Sequence, residues 1–200
     1  MNDSETVALI GGGHAVGRAH GACPAGPGPA PREDPLQSWP GQCGQGRAGD
    51  TYTSGYEMPF TSRPTTFDNE YFHNLLEYEW KLVKGSGDKN QWEPVSPGGG
   101  RSPEVPRAPR AHGPGEEPIG MLTTDLALCA DPDYNEIVQL FARDEERFQE
   151  MFAHAWYKLT TRDMGPRTRC SNREAPPPQD WQHPLPPPSL PEPQYSQVSK

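Results

Sequence analysis

The sequence predicts a mainly α chain whose amphipathic helices are separated by long irregular connections. Apolar residues recur at helical spacing in the stretches 68–83 and 121–159. Between these stretches the text is crowded with turn formers, 21 glycines and 26 prolines in 200 residues, and hydrophobic residues reach only 32%. A composition so close to that of low-complexity chains leaves enough apolar surface for one core, but not for packing the whole length.

Each element has a local signal. Asn2 as N-cap with Glu5 three residues on predicts a short helix over 2–10. Residues 21–66 hold many Gly and Pro and no sustained period, which predicts a long loop. Asp68 can cap a helix over 68–83, where Tyr71, Leu75, Tyr78 and Leu82 share one face. The Pro/Gly text over 95–118 predicts a disordered insertion, because it cannot bury enough apolar area to offset its ordering entropy. Thr123 or Thr124 can cap a helix through Leu128. Asp131 followed by Pro132 signals the start of another helix, with Tyr134, Ile137, Val138 and Phe141 as its stripe. Phe148, Met151, Phe152, Ala155, Trp156 and Leu159 form a further stripe at i, i+3, i+4, i+7, i+8 and i+11. Past Pro166 the chain is Pro-rich again and predicts polyproline II or a loose tail.

The formal charge of −9 at pH 7 argues against a nucleic-acid partner, which needs a surplus of Lys and Arg on one face. Cys23, Cys43, Cys129 and Cys170 form no paired-ligand spacing, and the start MNDSETVAL has no basic n-region before a long apolar stretch. That usage predicts reduced thiols and a cytoplasmic chain. Apolar runs fall far short of the roughly 20 residues of a membrane helix, so no membrane partner is expected.

The stretch "VALIGGGHAVGRAHG" sets His14 at the mouth of a glycine cluster. As a dinucleotide fingerprint it fails, because a GxGxxG starting at Gly11 needs glycine where Val16 stands. As a zinc site it would draw on His14, His20, Cys23 and Cys43, whose spacings match no paired-ligand pattern. The remaining reading from the residues alone is a hydrogen-bonded histidine in a tight turn.

Longer words point further. "ALIGGGHAVGRAHGACP", "DTYTSGYE", "FDNEYFHNLLEYEW", "MLTTDLAL" and "AHAWYKLTTRDMGP", in this order, resemble the proximal half of the haem domain of catalase-peroxidases, most closely the fungal members. The resemblance covers about 1–94 and 119–188. It implies a partial haem-peroxidase helical fold: 1–94 with the ligand helix, a long loop and the following helix; 95–118 as an insertion; 119–166 as the helical part that carries the ligand's partner; and 167–200 as a Pro-rich tail. It also implies haem b as cofactor, hydrogen peroxide and a small electron donor as reactants, and a dimeric parent protein.

Residue by residue, the resemblance makes His14 the iron ligand and Asp125 the carboxylate that accepts its other ring N–H. Arg18 and His20 match positions beside the haem propionates, and Ser54 one at the haem edge. Arg162 matches a mobile arginine that pairs with a cross-linked tyrosine in the family. Phe60 stands where the family has a tryptophan stacked under haem, so the indole N–H to the aspartate and an oxidisable ring are lost. Phe67 likewise replaces a tryptophan. The family's distal Arg, Trp and His and most of its Trp-Tyr-Met adduct match nothing in this text, which predicts a fragment without turnover of its own. The competing reading is a partly disordered interaction protein working through "PLPPPSLP" at 184–191 and the basic "RAPRAHGP" word.

Overall fold

The structure, a computed structural model, describes residues 1–19, 58–84, 90–95, 105–110, 114–170 and 174–184. The chain divides into two compact units, Met1–Ala155 and Trp156–Lys200. Among the described residues the architecture is mainly α, as the periodicity predicts, with three small antiparallel sheets of two strands each.

Helix α1 spans Asp3–Ala15. Its start is the predicted capping box: Asn2 Oδ1 accepts from the Glu5 backbone N–H at 2.8 Å, and Glu5 Oε2 accepts from the Asn2 N–H at 2.8 Å. The predicted end at residue 10 is corrected, because α1 runs through the three glycines and His14 sits in its last turn, not in a Gly-rich turn. Glycine costs up to about 1 kcal/mol per helical position relative to alanine, so something must offset it. A Cβ at Gly11 would lie 2.2 Å from Phe72 Cζ, and one at Gly12 would lie 2.2 Å from Phe152 Cδ2. The bare backbone lets two aromatic rings close on α1, and packing overrides propensity. Gly17, at φ +90°, then turns the chain out of the helix.

Strand β1 (Arg18–Ala19) pairs with β2 (Met58–Pro59), which brings Phe60 to the end of α1. Helix α2 covers Glu70–Glu77, and Asp68 Oδ1 accepts from the Glu70 N–H at 3.0 Å. The predicted helix over 68–83 is therefore corrected at its second half. Glu79–Lys84 forms β3, paired in register with β4 (Asn90–Val95), with Glu79 opposite Val95 and Leu82 opposite Trp92. Tyr78 and Leu82 fit helical spacing, but the alternation in "EWKLVK" fits a hairpin equally well, and a partner strand decides between them. Leu82 is 47% exposed and not part of a helical stripe.

The segment 95–118, predicted to be a disordered insertion, is corrected where the structure describes it. Arg107–Pro109 (β5) and Glu116–Pro118 (β6) form a hairpin. Ala108 and the following Ile119 are fully buried, and the Gly120 N–H donates to Pro59 O at 2.8 Å. Two buried apolar side chains and a backbone bond to its neighbour hold a stretch whose composition alone reads as unfolded.

Helix α3 spans Thr123–Ala130. Neither threonine caps it: they are its first two residues, and Asp125 one position later accepts the Leu122 N–H at 2.7 Å through Oδ2. Helix α4, Pro132–Arg143, starts as predicted, with Asp131 Oδ1 accepting from the Asp133 and Tyr134 N–H groups. Helix α5 covers Glu145–Thr161 and crosses the boundary between the units. The core of the first unit lies where α1, α2 and α4 meet α5: Phe72 packs on Phe141 and Phe148, and Phe67 stacks on Phe148 at 5.4 Å. Phe67 thus keeps the ring contact expected where the tryptophan is lost. In the second unit Trp156 and Leu159, predicted to extend the α5 stripe, are exposed by 53% and 39%. Part of the predicted loose tail is held there, since Trp181 Nε1 donates to Thr161 Oγ1 at 3.0 Å and Gln182 Nε2 donates to the Tyr157 hydroxyl at 3.0 Å.

The glycines separate packing from propensity. Gly11→Ala is expected to destabilise the protein by about 1–3 kcal/mol through the clash with Phe72. Gly13→Ala, which meets open space, should stabilise it by about 0.5–1 kcal/mol. Urea denaturation followed by far-UV circular dichroism checks both signs.

Candidate functional site

Four elements of the first unit converge on one imidazole. The last turn of α1 presents His14, the segment after β2 presents Phe60, the first turn of α2 presents Tyr71, and the first turn of α3 presents Asp125. His14 Nδ1 lies 3.2 Å from Asp125 Oδ1. That is ion-pair distance, but Nδ1 makes no aligned hydrogen bond and is fully buried. Phe60 lies flat against the His14 ring, with centroids 3.8 Å apart and planes 2° from parallel, while Tyr71 meets the ring edge-on at 5.4 Å and 75°. The His14 side chain is nonetheless 23% exposed.

Asp125 is 1% exposed, and its carboxylate is held by donors at both oxygens. Leu122 N–H donates to Oδ2 at 2.7 Å and the Tyr71 hydroxyl donates to Oδ1 at 2.8 Å. A carboxylate so deeply placed persists as an ion only when such donors replace water. Its neighbours respond to it. Burial first, then the negative charge of Asp125, pushes the Tyr71 phenol well above its usual range. Burial and the same charge push the Cys129 thiol up. Both groups stay neutral, so Tyr71 remains a hydrogen-bond donor.

Of the other predicted site residues, only Arg18 is described in the same unit. Arg18 is turned toward the β5–β6 hairpin, its Nη1 paired with the Glu117 carboxylate and its Nη2 donating to Pro109 O at 2.8 Å. Arg162 belongs to the second unit, where it is exposed just past α5. His20 and Ser54 lie outside the described residues, as do most of the Pro-rich words at 184–191. Sequence reasoning missed Tyr71 as a site residue by assigning it only to an apolar stripe. The available signal was that a buried tyrosine hydroxyl needs a partner. Among the described residues no three His, Cys, Asp or Glu side chains converge as a metal-ion cluster, and the site offers a single imidazole.

Comparison with known proteins fits this arrangement. A family model described as Peroxidase matches residues 1–144. The chain belongs to the peroxidase family. This peroxidase segment is similar to the catalase-peroxidase of Geobacillus kaustophilus (strain HTA426), with 47% identity over 194 residues, covering 93% of the chain and 26% of that protein. It is likewise similar to the catalase-peroxidase of Rhodopirellula baltica, at 47% over 193 residues, 93% of the chain and 22% of that protein. A third, from Pseudomonas savastanoi pv. phaseolicola, is 45% identical over 193 residues, 93% of the chain and 25% of that protein. The peroxidase segment spans about a quarter of the length of these relatives. No helix among its described residues is long and apolar enough to cross a membrane.

The buried phenol carries a pH dependence. Because the folded state raises the Tyr71 pKa above the ordinary value near 10, its contribution to stability is complete below pH about 10 and is lost as pH rises toward the folded value. Unfolding free energy should therefore fall on the alkaline side more steeply in the wild type than in Tyr71→Phe. Urea titrations at several pH values above neutrality measure the two slopes, and equal slopes would contradict the assignment.

Proposed function

We propose that the chain is the haem-holding part of a catalase-peroxidase, with His14 as the protein ligand to the iron of haem b. The observation that carries this reading is the His14–Asp125 pair: a buried Nδ1 facing a buried carboxylate, on a side chain that is still 23% exposed. An iron ligand needs that polarity. One nitrogen must keep its lone pair for the metal, and the other must give its proton to an acceptor that fixes the tautomer and makes the ring electron-rich. The residues present fit such a group, which takes one side chain from the protein as its ligand.

Haem bound there supplies the redox chemistry of peroxide reduction and decomposition. The chain's own contribution is to orient and tune. Asp125 Oδ1 would accept from the His14 Nδ1–H, and Phe60 covers the ring from one face. Residues that would act on peroxide itself, by moving its proton and stabilising the departing oxygen, are not among those the resemblance matches in this sequence. Hydrogen peroxide and a small electron donor are the reactants of that whole protein, and a cytoplasmic oxidative-stress role follows from the same reading. By the same resemblance His20 would lie beside the cofactor's propionates and Ser54 at its edge.

Haem titration tests the ligand assignment. The wild type should bind haem with a Soret shift, His14→Ala should lose it, and Asp125→Asn should weaken binding by about 10–100-fold. A wild-type chain that gives no shift, or an unchanged shift in His14→Ala, would sink the proposal.

A further inference from the structure

Phe60 leaves Asp125 without an indole donor, yet both carboxylate oxygens are bonded. The backbone N–H of Leu122 takes Oδ2, and that bond belongs to the start of α3 whatever stands at residue 60. Oδ1 is served from another element altogether, by the hydroxyl of Tyr71 on α2 at 2.8 Å. The same Oδ1 is the atom facing His14 Nδ1 at 3.2 Å.

We propose that Tyr71 is a positioning residue for the His14–Asp125 pair, its hydroxyl doing for the carboxylate what no donor at residue 60 can do in this chain. A carboxylate held at one oxygen only can rotate about its Cβ–Cγ bond. Held at both, by donors from α3 and α2, its plane is fixed and Oδ1 is kept 3.2 Å from Nδ1. That placement favours the tautomer with the proton on Nδ1 and leaves Nε2 as the acceptor. Tyr71 is suited to the task because it is fully buried and edge-on to the imidazole at 5.4 Å, so its hydroxyl has little choice of partner. The inference rests on the reading of His14 as a ligand for its purpose, but the geometry it concerns belongs to the haem-free chain.

The test uses the full chain without haem, labelled with ¹⁵N-histidine, and reads the His14 tautomer ratio by NMR. Tyr71→Phe is expected to lower the ratio of Nδ1–H to Nε2–H by about threefold or more, since a hydrogen bond to a charged group is lost. Adding Phe60→Trp to that variant restores an N–H donor beside Asp125 and should bring the ratio most of the way back. Tyr78→Phe, just past the opposite end of α2, should leave it unchanged. A ratio that holds or rises in Tyr71→Phe overturns the proposal, as does a double variant no closer to wild type than the single one. Should Tyr71→Phe fail to fold, the wild type decides: a Tyr71 hydroxyl proton protected from solvent exchange and close to the His14 ring supports the proposal, and a freely exchanging one overturns it. Failure of haem to bind would sink the ligand reading while leaving this ratio measurable, so the two can fail separately.

Discussion

A carboxylate that is 1% exposed organises the first unit of this chain. Removing Asp125 from water costs several kcal/mol unless protein donors replace the solvent, and every donor that does so comes from a defined piece of secondary structure. Leu122 N–H requires α3 to begin where it does, and the Tyr71 hydroxyl requires α2 to lie against α3. His14 Nδ1 requires α1 to reach the same point with its last turn. The ionised form, once held, acts on its surroundings by keeping Tyr71 and Cys129 protonated. Charge, helix boundaries and helix contacts are thus one constraint seen from different sides.

What delivers α1 to that point is the absence of side chains. Phe72 and Phe152 occupy the space that Cβ atoms at Gly11 and Gly12 would fill, so the helix axis sits closer to the aromatic cluster than any alanine would allow. The loss in helix propensity is set against burial of the Phe72 ring, worth about 1.5–3 kcal/mol for a fully buried large apolar side chain. The balance explains why glycines that read as a turn in the text are helical in the fold. It also places His14 in the last turn of the helix, opposite the carboxylate.

Much of this was legible in the residues themselves. The Asn2–Glu5 box, the Asp131-Pro132 start and the apolar stripe of α4 are local signals with local causes, and they appear as written. Errors fall where a non-local partner decides. Nothing within 68–83 shows that Asn90–Val95 will pair with its second half, and nothing within 95–118 shows that Ala108 will be covered. The glycine cluster misleads for the same reason, since Phe72 and Phe152 are far away in sequence. The juxtaposition of His14 and Asp125 was legible only by resemblance to a family, because spacing along a chain cannot say which distant carboxylate a histidine will meet. Tyr71 was named for its ring while its hydroxyl went unread: a helical stripe reports burial, and the demand that a buried hydroxyl be satisfied is a separate inference.

Arg18 shows the same chemistry where less depends on it. Its guanidinium, 14% exposed on the side chain, takes a carboxylate from Glu117 and a carbonyl from Pro109, so its fork of donors is engaged by the β5–β6 hairpin. Glu117 is 29% exposed and can return to water, so this pair can open without stranding a buried charge. Asp125 is the contrasting case: at 1% exposure it has no route back to solvent, so its bonds must be permanent features of the fold. The two carboxylates differ in burial by enough to make one a fixed feature of the fold and the other an exchangeable partner.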